Sequence, residues 1–329
     1  MSKAENQGYS GATGSYERRI VLVGKTGVGK SAAGNTILGR EAFESEMSPV
    51  SMTAECQKAR GEVGGRQVAV IDTPGLFDTN YTQEEVLKKI KLCISLSAPG
   101  PHVFLVVLQL GRFTKEEKET VQMIQTTFGE DADKYTMVLF THGDQLMKQT
   151  IEGYISESSD LKAIIQKCNG RYHVFNNEIK DHEQTWQLMD KIDMITRANG
   201  GSCYTNEMFT KAEEAIEKEK QRLLKEMEMQ KQKELDQLRA KYSDEVFHRE
   251  ARRVDMRYQH EARARAERSN DFVAAQVVAV ATACGAAVGC LLGVIGGPIG
   301  VVVGAAAGAA VGAGIGVISI KVSQQCHVQ

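Results

Sequence analysis

A glycine-rich loop near the start of the chain has the residue types and spacing of a phosphate-binding site. Residues 24–31 read GKTGVGKS, match the pattern G-x-x-x-x-G-K-[ST] and directly follow an apolar run at 20–23. Glycines let backbone N–H groups turn towards phosphate oxygens without a Cβ in the way. The start of the following helix adds the positive end of its dipole. The predicted phosphate contacts are Gly24, Lys25, Thr26, Gly27, Val28, Gly29, Lys30, Ser31 and Ala32.

Side chains of this loop and of a second motif are candidates for the chemistry of a nucleoside triphosphate. Lys30 can reach the β- and γ-phosphates, which makes it a candidate catalytic residue, and the Ser31 hydroxyl can bind Mg²⁺. The motif DTPG at 72–75 follows the apolar residues 68–71. Its Asp72 carboxylate is expected to hold Mg²⁺, usually through a water, from the side opposite Ser31. The Gly75 amide can contact a γ-phosphate and so sense hydrolysis.

The segment between these two motifs, residues 42–65, is rich in Ser and Thr and is the expected first switch segment. Thr53 is the predicted ligand of Mg²⁺ and the γ-phosphate there, with Ser51 as the rival. Ser45 comes soon after the first predicted helix and is expected to contact ribose or phosphate. Hydroxyl-rich loops are common, so position after the phosphate-binding loop is what favours these three residues.

Two further motifs predict selection of guanine. Residues 141–144 read THGD where GTPases place [NT]-K-x-D, and Asp144 can accept hydrogen bonds from N1–H and the exocyclic amine of guanine, a donor pair that adenine lacks. His142 stands where Lys is usual, and its ring can pack flat against the base. The side-chain amide of Asn176, in FNN at 175–177, can donate to guanine O6. The predicted base contacts are Thr141, His142, Gly143, Asp144 and Asn176.

The sequence lacks the glutamine that many GTPases use in GTP hydrolysis. Many GTPases carry Gln directly after D-x-x-G to orient the attacking water, and Leu76 occupies that position here. Leu can neither donate nor accept a hydrogen bond, so slow intrinsic hydrolysis is expected unless the missing group comes from elsewhere. Arg112, at the end of an apolar run, is the candidate for an arginine supplied in trans; the alternative is a solvated loop arginine.

Alternating elements position these motifs. Strand-like runs at 19–23, 67–71, 102–108, 135–140 and 171–175 are short, apolar and mostly β-branched, as buried parallel strands are. Helical patterns lie near 30–38, 83–95, 115–128, 159–168 and 183–197. This alternation predicts a doubly wound α/β sheet, and ligands bind at the carboxyl ends of its strands, where all four motifs fall.

The run LSAPGPHVFLVVLQLGRFT at 96–114 is distinctive, because ordinary small GTPases lack it. Together with the motifs above and GNTILG at 34–39, it closely resembles the GIMAP family, the GTPases of immunity-associated proteins, over about residues 18–205. The resemblance implies a P-loop GTPase sheet, GTP or GDP with Mg²⁺ as ligands, and self-association through GTP-bound domains. By motif match, residues 24–32, Ser45, 142–144 and Asn176 would contact nucleotide. It also implies slow or dimer-dependent hydrolysis and a role in immune cells.

Composition divides the chain into five regions. A polar lead-in at 1–17 is expected to be disordered, the nucleotide-binding domain occupies 18–205, a charged helical segment 206–270, a glycine-spaced hydrophobic segment 271–320, and a short tail 321–329. The 329 residues carry a net charge of −2, which argues against a nucleic-acid binder. Seven cysteines without a C-x-x-C pair suit a reducing cytosol and indicate neither a zinc site nor a disulfide framework.

The charged segment has two interpretations. Glu, Lys and Arg mix with few glycines and no proline over 207–270, which predicts long helix. Its apolar positions recur at three- and four-residue steps without a sustained heptad. The pattern fits a helical stalk or dimer helix, and fits equally a solvated helix folded against the nucleotide-binding domain. Arginine is dense over 249–268, which would suit an anionic cytosolic membrane face.

The glycine-spaced segment predicts membrane insertion. Residues 272–320 contain no charged residue, and their length exceeds the roughly 20 residues that one crossing needs. Glycine recurs at every fourth residue from 296 to 316, which would let another helix approach closely. Two crossings, about 272–295 and 299–320, would form a C-terminal glycine-rich hydrophobic helical hairpin around GGP at 296–298. The alternative is a low-complexity tail.

These observations together predict a membrane-associated GTP-binding switch or scaffold on the cytosolic face of an intracellular membrane. Its expected partners are a second copy of the chain and membrane lipid, with no nucleic acid. One alternative is a competent GTPase that uses Arg112 across a dimer. Another is a membrane-remodelling assembler built on the glycine stripe, in which nucleotide is only regulatory.

Overall fold

A mixed six-stranded sheet forms the centre of the molecule. The structure, a computed structural model, describes residues 17–45, 55–75, 83–111, 117, 124, 127–179 and 181–269. The strands are β1 (Arg18–Val23), β2 (Gln57–Val63), β3 (Arg66–Asp72), β4 (Val103–Gln109), β5 (Thr136–Thr141) and β6 (Tyr172–Val174). Their order across the sheet is β2-β3-β1-β4-β5-β6. All neighbours are parallel except β2, which runs antiparallel to β3.

Helices cover both faces of this sheet, as a doubly wound α/β fold requires. The α-helices are α1 (Lys30–Leu38), α2 (Gln83–Ser97), α3 (Ile151–Ser156), α4 (Ser159–Lys167), α5 (His182–Ala198), α6 (Glu207–Lys241) and α7 (Asp244–Arg268). Along β1, Ile20 and Leu22 pack in a core with α1 and α5, whereas Val21 and Val23 pack in the opposite core with α2, α4 and α6. The period of two therefore divides one strand between two cores. The predicted helix at 115–128 lies mostly outside the described residues.

Strand β2 lies within residues 42–65, where the sequence predicted a switch segment and no strand. Residues 57–63 read QKARGEV, too polar to resemble a buried strand, but an edge strand needs to bury little. The signal that was missed is the pair Gly64-Gly65. Both have positive φ, 55° and 76°, which is the backbone of a two-residue hairpin turn between antiparallel strands.

The charged segment forms an antiparallel helical hairpin that packs against the domain. Phe209, Ala212 and Ile216 of α6 lie in the same core cluster as Ile94 of α2, and Ala262 and Ala266 of α7 are fully buried in that cluster. Of the two arrangements that the sequence left open, the structure has the helix folded against the domain. Within the described ranges we find no helix with the length and apolar character needed to cross a bilayer. The predicted hydrophobic hairpin at 271–320 lies outside those ranges, as does most of the lead-in.

A buried group of charges joins α7 to the sheet edge. Glu267 pairs with Lys58 of β2 and with Arg263 one turn earlier, each at 2.9 Å, and Arg263 also pairs with Glu213 of α6 at 2.7 Å. The Ser95 hydroxyl of α2 donates to the Glu267 carbonyl at 2.7 Å. The side chains of Lys58 and Glu267 are 5% and 2% exposed, so this Glu267 cluster is a desolvated anchor for the end of α7.

His102 is a buried histidine whose protonation should destabilise the fold. Its Nδ1 accepts the Arg19 N–H at 3.0 Å, which requires the neutral ring. Burial, followed by the charges of Arg19 and Arg18, lowers the pKa of His102 from 6.5 to about 3. Below pH 6.5 the unfolded chain takes up a proton that the folded chain does not, so stability falls as pH falls.

We expect His102 to remove about 2 kcal/mol of stability between pH 7 and pH 5. The measurement is urea unfolding across that range. The His102→Asn variant places a non-titrating acceptor near the position of Nδ1, so its stability should depend less on pH by that amount. An unchanged dependence in the variant would mean that other groups cause it.

Candidate nucleotide-binding site

The loop between β1 and α1 has the backbone of a phosphate cradle. Gly27 and Gly29 have φ of 85° and 88°, which favours glycine at both positions. A Cβ on Gly24 would lie 2.6 Å from the Val107 carbonyl oxygen, so β4 also leaves room only for glycine. Lys30 begins α1 and is buried, and its Nζ donates to the Lys25 carbonyl at 2.8 Å across the loop. The loop therefore holds the Lys30 ammonium group close to its own backbone.

Two of the three predicted Mg²⁺ residues, Ser31 and Asp72, lie in direct contact. The Ser31 hydroxyl donates to Asp72 Oδ2 at 2.6 Å, and Asp72 is buried at the carboxyl end of β3. The neighbouring Thr73 hydroxyl donates to the Leu22 carbonyl at 2.6 Å, which ties this strand end to β1. A hydroxyl and a carboxylate oxygen side by side form the oxygen donor set that Mg²⁺ prefers, so the residues present fit the ion. Thr53 and its rival Ser51 lie outside the described residues.

The third motif is tied to the phosphate loop. The buried Thr141 hydroxyl at the end of β5 donates to the Val28 carbonyl at 2.8 Å. His142 follows with φ 58°, a left-handed conformation in which histidine is more common than most residues. Gly143 donates its N–H to the Phe175 carbonyl at 2.9 Å, and Asp144 lies exposed in the short 3₁₀ turn Gly143–Leu146. The third motif therefore contacts both the first and the fourth.

Asn176, the predicted base contact of the fourth motif, lies in a turn that its own side chain closes. The Asn176 side-chain Oδ1 accepts the Glu178 N–H at 3.0 Å, so Nδ2 is the side-chain atom left to donate, as the prediction requires. The adjacent Asn177 was not predicted. Its Oδ1 accepts from the Thr36 hydroxyl of α1 at 2.9 Å, and its Nδ2 would lie 3.6 Å from a Cβ on Gly29. Asn177 thus joins the base loop to the phosphate loop.

The family can be assigned from this geometry and from comparison with known proteins. The family model described as AIG1 matches residues 18–225, which span every motif above. The chain belongs to the AIG1 family. The resemblance to the GIMAP GTPases is thereby confirmed, since relatives of this AIG1 chain carry that name. It is 37% identical over 194 residues to human GTPase IMAP family member 8, covering 58% of this chain and 29% of the relative.

A plant relative is similar at the same level. The AIG1 chain is 38% identical over 223 residues to immune-associated nucleotide-binding protein 9 of Arabidopsis thaliana, which covers 65% of each chain. The chain thus spans less than two thirds of both relatives. Among solved structures, Arabidopsis Toc33 with GDP and Mg²⁺ has a TM-score of 0.43 at 20% identity, covering 55% of this chain and 85% of Toc33. At that TM-score the likeness adds nothing to the fold described above.

Of the remaining predicted residues of the AIG1 chain, the structure describes Ser45. Ser45 is exposed and accepts from Asn35 Nδ2 at 3.2 Å, while Asn35 Oδ1 accepts the N–H groups of Ala42 and Phe43. Asn35 therefore organises the start of the predicted switch segment, a role that the sequence pattern alone did not indicate. No contact tests whether Ser45 binds nucleotide, so that remains a prediction.

Arg112 lies outside the described residues, but both backbone groups of the preceding Gly111 are hydrogen-bonded. The Tyr154 hydroxyl of α3 donates to the Gly111 carbonyl and accepts the Gly111 N–H. One phenol thus holds both backbone groups at the end of β4. Leu76, where many GTPases carry Gln, also lies outside the described residues.

Proposed function

We propose that this AIG1-family chain binds GTP and GDP together with Mg²⁺ and uses the bound nucleotide as a switch. The observation that carries the proposal is the direct linkage of the motifs: Thr141 to Val28, Gly143 to Phe175, and Ser31 to Asp72. Residues far apart in sequence are brought to the carboxyl edge of one sheet, where such folds bind ligands. The names of the relatives, a GTPase and a nucleotide-binding protein, support the same function.

Each group of residues has a separate part in this function. Backbone amides of 24–32 and the Lys30 ammonium bind the phosphates, and Ser31 and Asp72 hold Mg²⁺, which neutralises phosphate charge. Asp144 accepts from guanine N1–H and the exocyclic amine, while Asn176 Nδ2 donates to O6. Adenine lacks the two donors that Asp144 would accept from, and it has no acceptor at position 6 for Asn176 Nδ2. It would therefore leave both side chains without a hydrogen bond to the base.

Nucleotide binding in the presence and absence of Mg²⁺ tests the proposal. We expect wild-type protein to bind fluorescent GDP in preference to ADP, and chelation of Mg²⁺ to accelerate GDP release. In Ser31→Ala we expect the effect of chelation to fall about tenfold, because the hydroxyl that binds Mg²⁺ is gone. Ser202→Ala, at an exposed hydroxyl beyond α5, is the control. Equal affinity for GDP and ADP in the wild type would contradict the proposed function.

Hydrolysis is proposed to be slow, or dependent on a second copy of the chain. Leu76 cannot orient water, whereas Arg112 of a second copy could stabilise transition-state charge. Turnover should then rise with protein concentration and lose that rise in Arg112→Ala. A rate that stays negligible at high concentration, or that Arg112→Ala leaves unchanged, removes the dimer-activated alternative and leaves the slow switch.

The cytosolic face of an intracellular membrane remains the proposed location, with lipid and a second copy as partners. The support is the uncharged glycine-spaced segment at 272–320 and the arginines that precede it. Several of those arginines form ion pairs, among them Arg253 with Glu250 and Arg265 with Glu261, which reduces the positive field available to lipid. Carbonate extraction of the full chain beside a 1–270 truncation is the test. If both are extracted, membrane insertion and the membrane-remodelling alternative are wrong.

A further inference from the structure

A buried glutamine on α5 holds the backbone of the predicted base contact. Gln184 Oε1 accepts the Asn176 N–H at 3.0 Å, and Gln184 Nε2 donates to the Asn176 carbonyl at 3.1 Å and to the Ile179 carbonyl at 3.4 Å. Gln184 is 9% exposed, and its own carbonyl is 2.7 Å from His173 Nε2. One carboxamide therefore satisfies both polar backbone groups of Asn176.

The same loop is held on its other sides. Its Phe175 carbonyl accepts the Gly143 N–H, its Asn177 side chain accepts from the Thr36 hydroxyl, and Asn176 Oδ1 closes the turn onto the Glu178 N–H. These hydrogen bonds fix the Asn176 backbone and its side-chain Oδ1, and they therefore also set the direction of Nδ2. A loop fixed before binding loses less conformational freedom when the ligand arrives.

We propose that Gln184 is a positioning residue for guanine recognition, which aims Asn176 Nδ2 at O6 of the base before nucleotide binds. This inference rests on the proposed function. In this role Gln184 acts through the Asn176 backbone and not by contacting the base itself. Guanine has an acceptor at position 6 and adenine has a donor, so correct aiming of Nδ2 contributes to the preference between them as well as to affinity.

The test compares GDP with ADP in matched variants of the full chain. Gln184→Met keeps an unbranched side chain of similar length and removes all three hydrogen bonds. We expect its GDP affinity to fall about 3- to 10-fold, the range for loss of one ordinary hydrogen bond to the base, with ADP affinity unchanged. Gln184→Glu keeps the acceptor for the Asn176 N–H but places a buried carboxylate oxygen against the Asn176 and Ile179 carbonyls, so it should not restore the affinity. Gln187→Met, one turn along α5 at an exposed residue, is the control.

A double-mutant cycle separates positioning from general damage. If Gln184 acts through Asn176, Gln184→Met should add almost nothing to the loss of GDP affinity in Asn176→Ala. Additive losses, or equal losses of GDP and ADP affinity, would overturn the proposal. Failure of the wild type to prefer GDP would instead contradict the proposed function, so the two failures are distinguishable.

The wild-type protein gives a second test that needs no variant. If the loop is fixed before binding, the Asn176 amide should be protected from hydrogen exchange in nucleotide-free protein, because Gln184 already accepts it. An Asn176 amide that exchanges as fast as the amide of the exposed residue Ile179 until nucleotide is added would overturn the proposal.

Discussion

Replacing Asp144 with Asn should change the base preference of the site from guanine to xanthine. In the proposed function the Asp144 carboxylate accepts two hydrogen bonds from guanine, whereas the Asn side chain would present an NH₂ donor at one of those positions. Xanthine carries a carbonyl at C2 in place of the amine, so it can accept that donor. Hydrogen bonds to charged groups contribute about 1.5–3 kcal/mol each, so we expect GDP affinity to fall at least about 100-fold.

Competition binding with GDP, XDP and ADP checks this result. Asp236→Asn makes the same change of charge on the exposed helix α6, where Gln232 donates to the Asp236 carboxylate at 2.8 Å, and it should bind GDP like the wild type. Undiminished GDP affinity in Asp144→Asn would show that the base lies elsewhere. Asp144 is exposed, so the substitution leaves the core in place and the GDP affinity should report the base contact directly.

Replacing Glu267 with Gln should destabilise the fold by about 3–5 kcal/mol, the usual loss when one partner of a buried ion pair is removed. Lys58 would keep its charge among buried groups with its carboxylate partner gone. Burial already lowers the pKa of Lys58, and the Glu267 carboxylate opposes that shift. Glutamine has nearly the same size as glutamate, so the loss of stability reports the removed charge and not a change in packing.

Urea unfolding at pH 7 measures this loss. Glu261→Gln removes an exposed ion pair with Arg265 on the same helix, and it should change stability by less than about 1 kcal/mol. The double variant Lys58→Met with Glu267→Leu should be more stable than Glu267→Gln, because it leaves no charge of that pair buried. If Glu267→Gln and Glu261→Gln are equally stable, the Glu267 cluster does not anchor α7.

Sequence patterns predicted the parts of the fold that depend on composition. The five parallel strands were predicted because each is a short apolar run between polar segments. Strand β2 was missed because its polar residues at 57–63 resemble a loop, and the paired glycines at 64–65 were the one local sign of a hairpin. The position of the α6–α7 hairpin could not be predicted, since helical periodicity does not state which surface a helix covers.

The sequence also predicted part of the candidate site. Motif spacing predicted the phosphate loop, Asp72, Asp144 and Asn176, because the expected chemistry of a guanine nucleotide specifies those residue types. Asn35 and Gln184 were missed because they bond to backbone groups of the site. Backbone partners leave no pattern of residue types, so such residues become visible only when the chain is folded.

The hairpin of α6 and α7 determines where helix α7 ends. Helix α6 has 35 residues and would extend about 50 Å as a stalk, yet Arg263 near the end of α7 pairs with Glu213 near the start of α6. Helix α7 therefore ends beside β2 at the edge of the sheet. The hairpin thus couples the end of α7 to the edge strand, so a movement of β2 would carry the last turn of α7 with it.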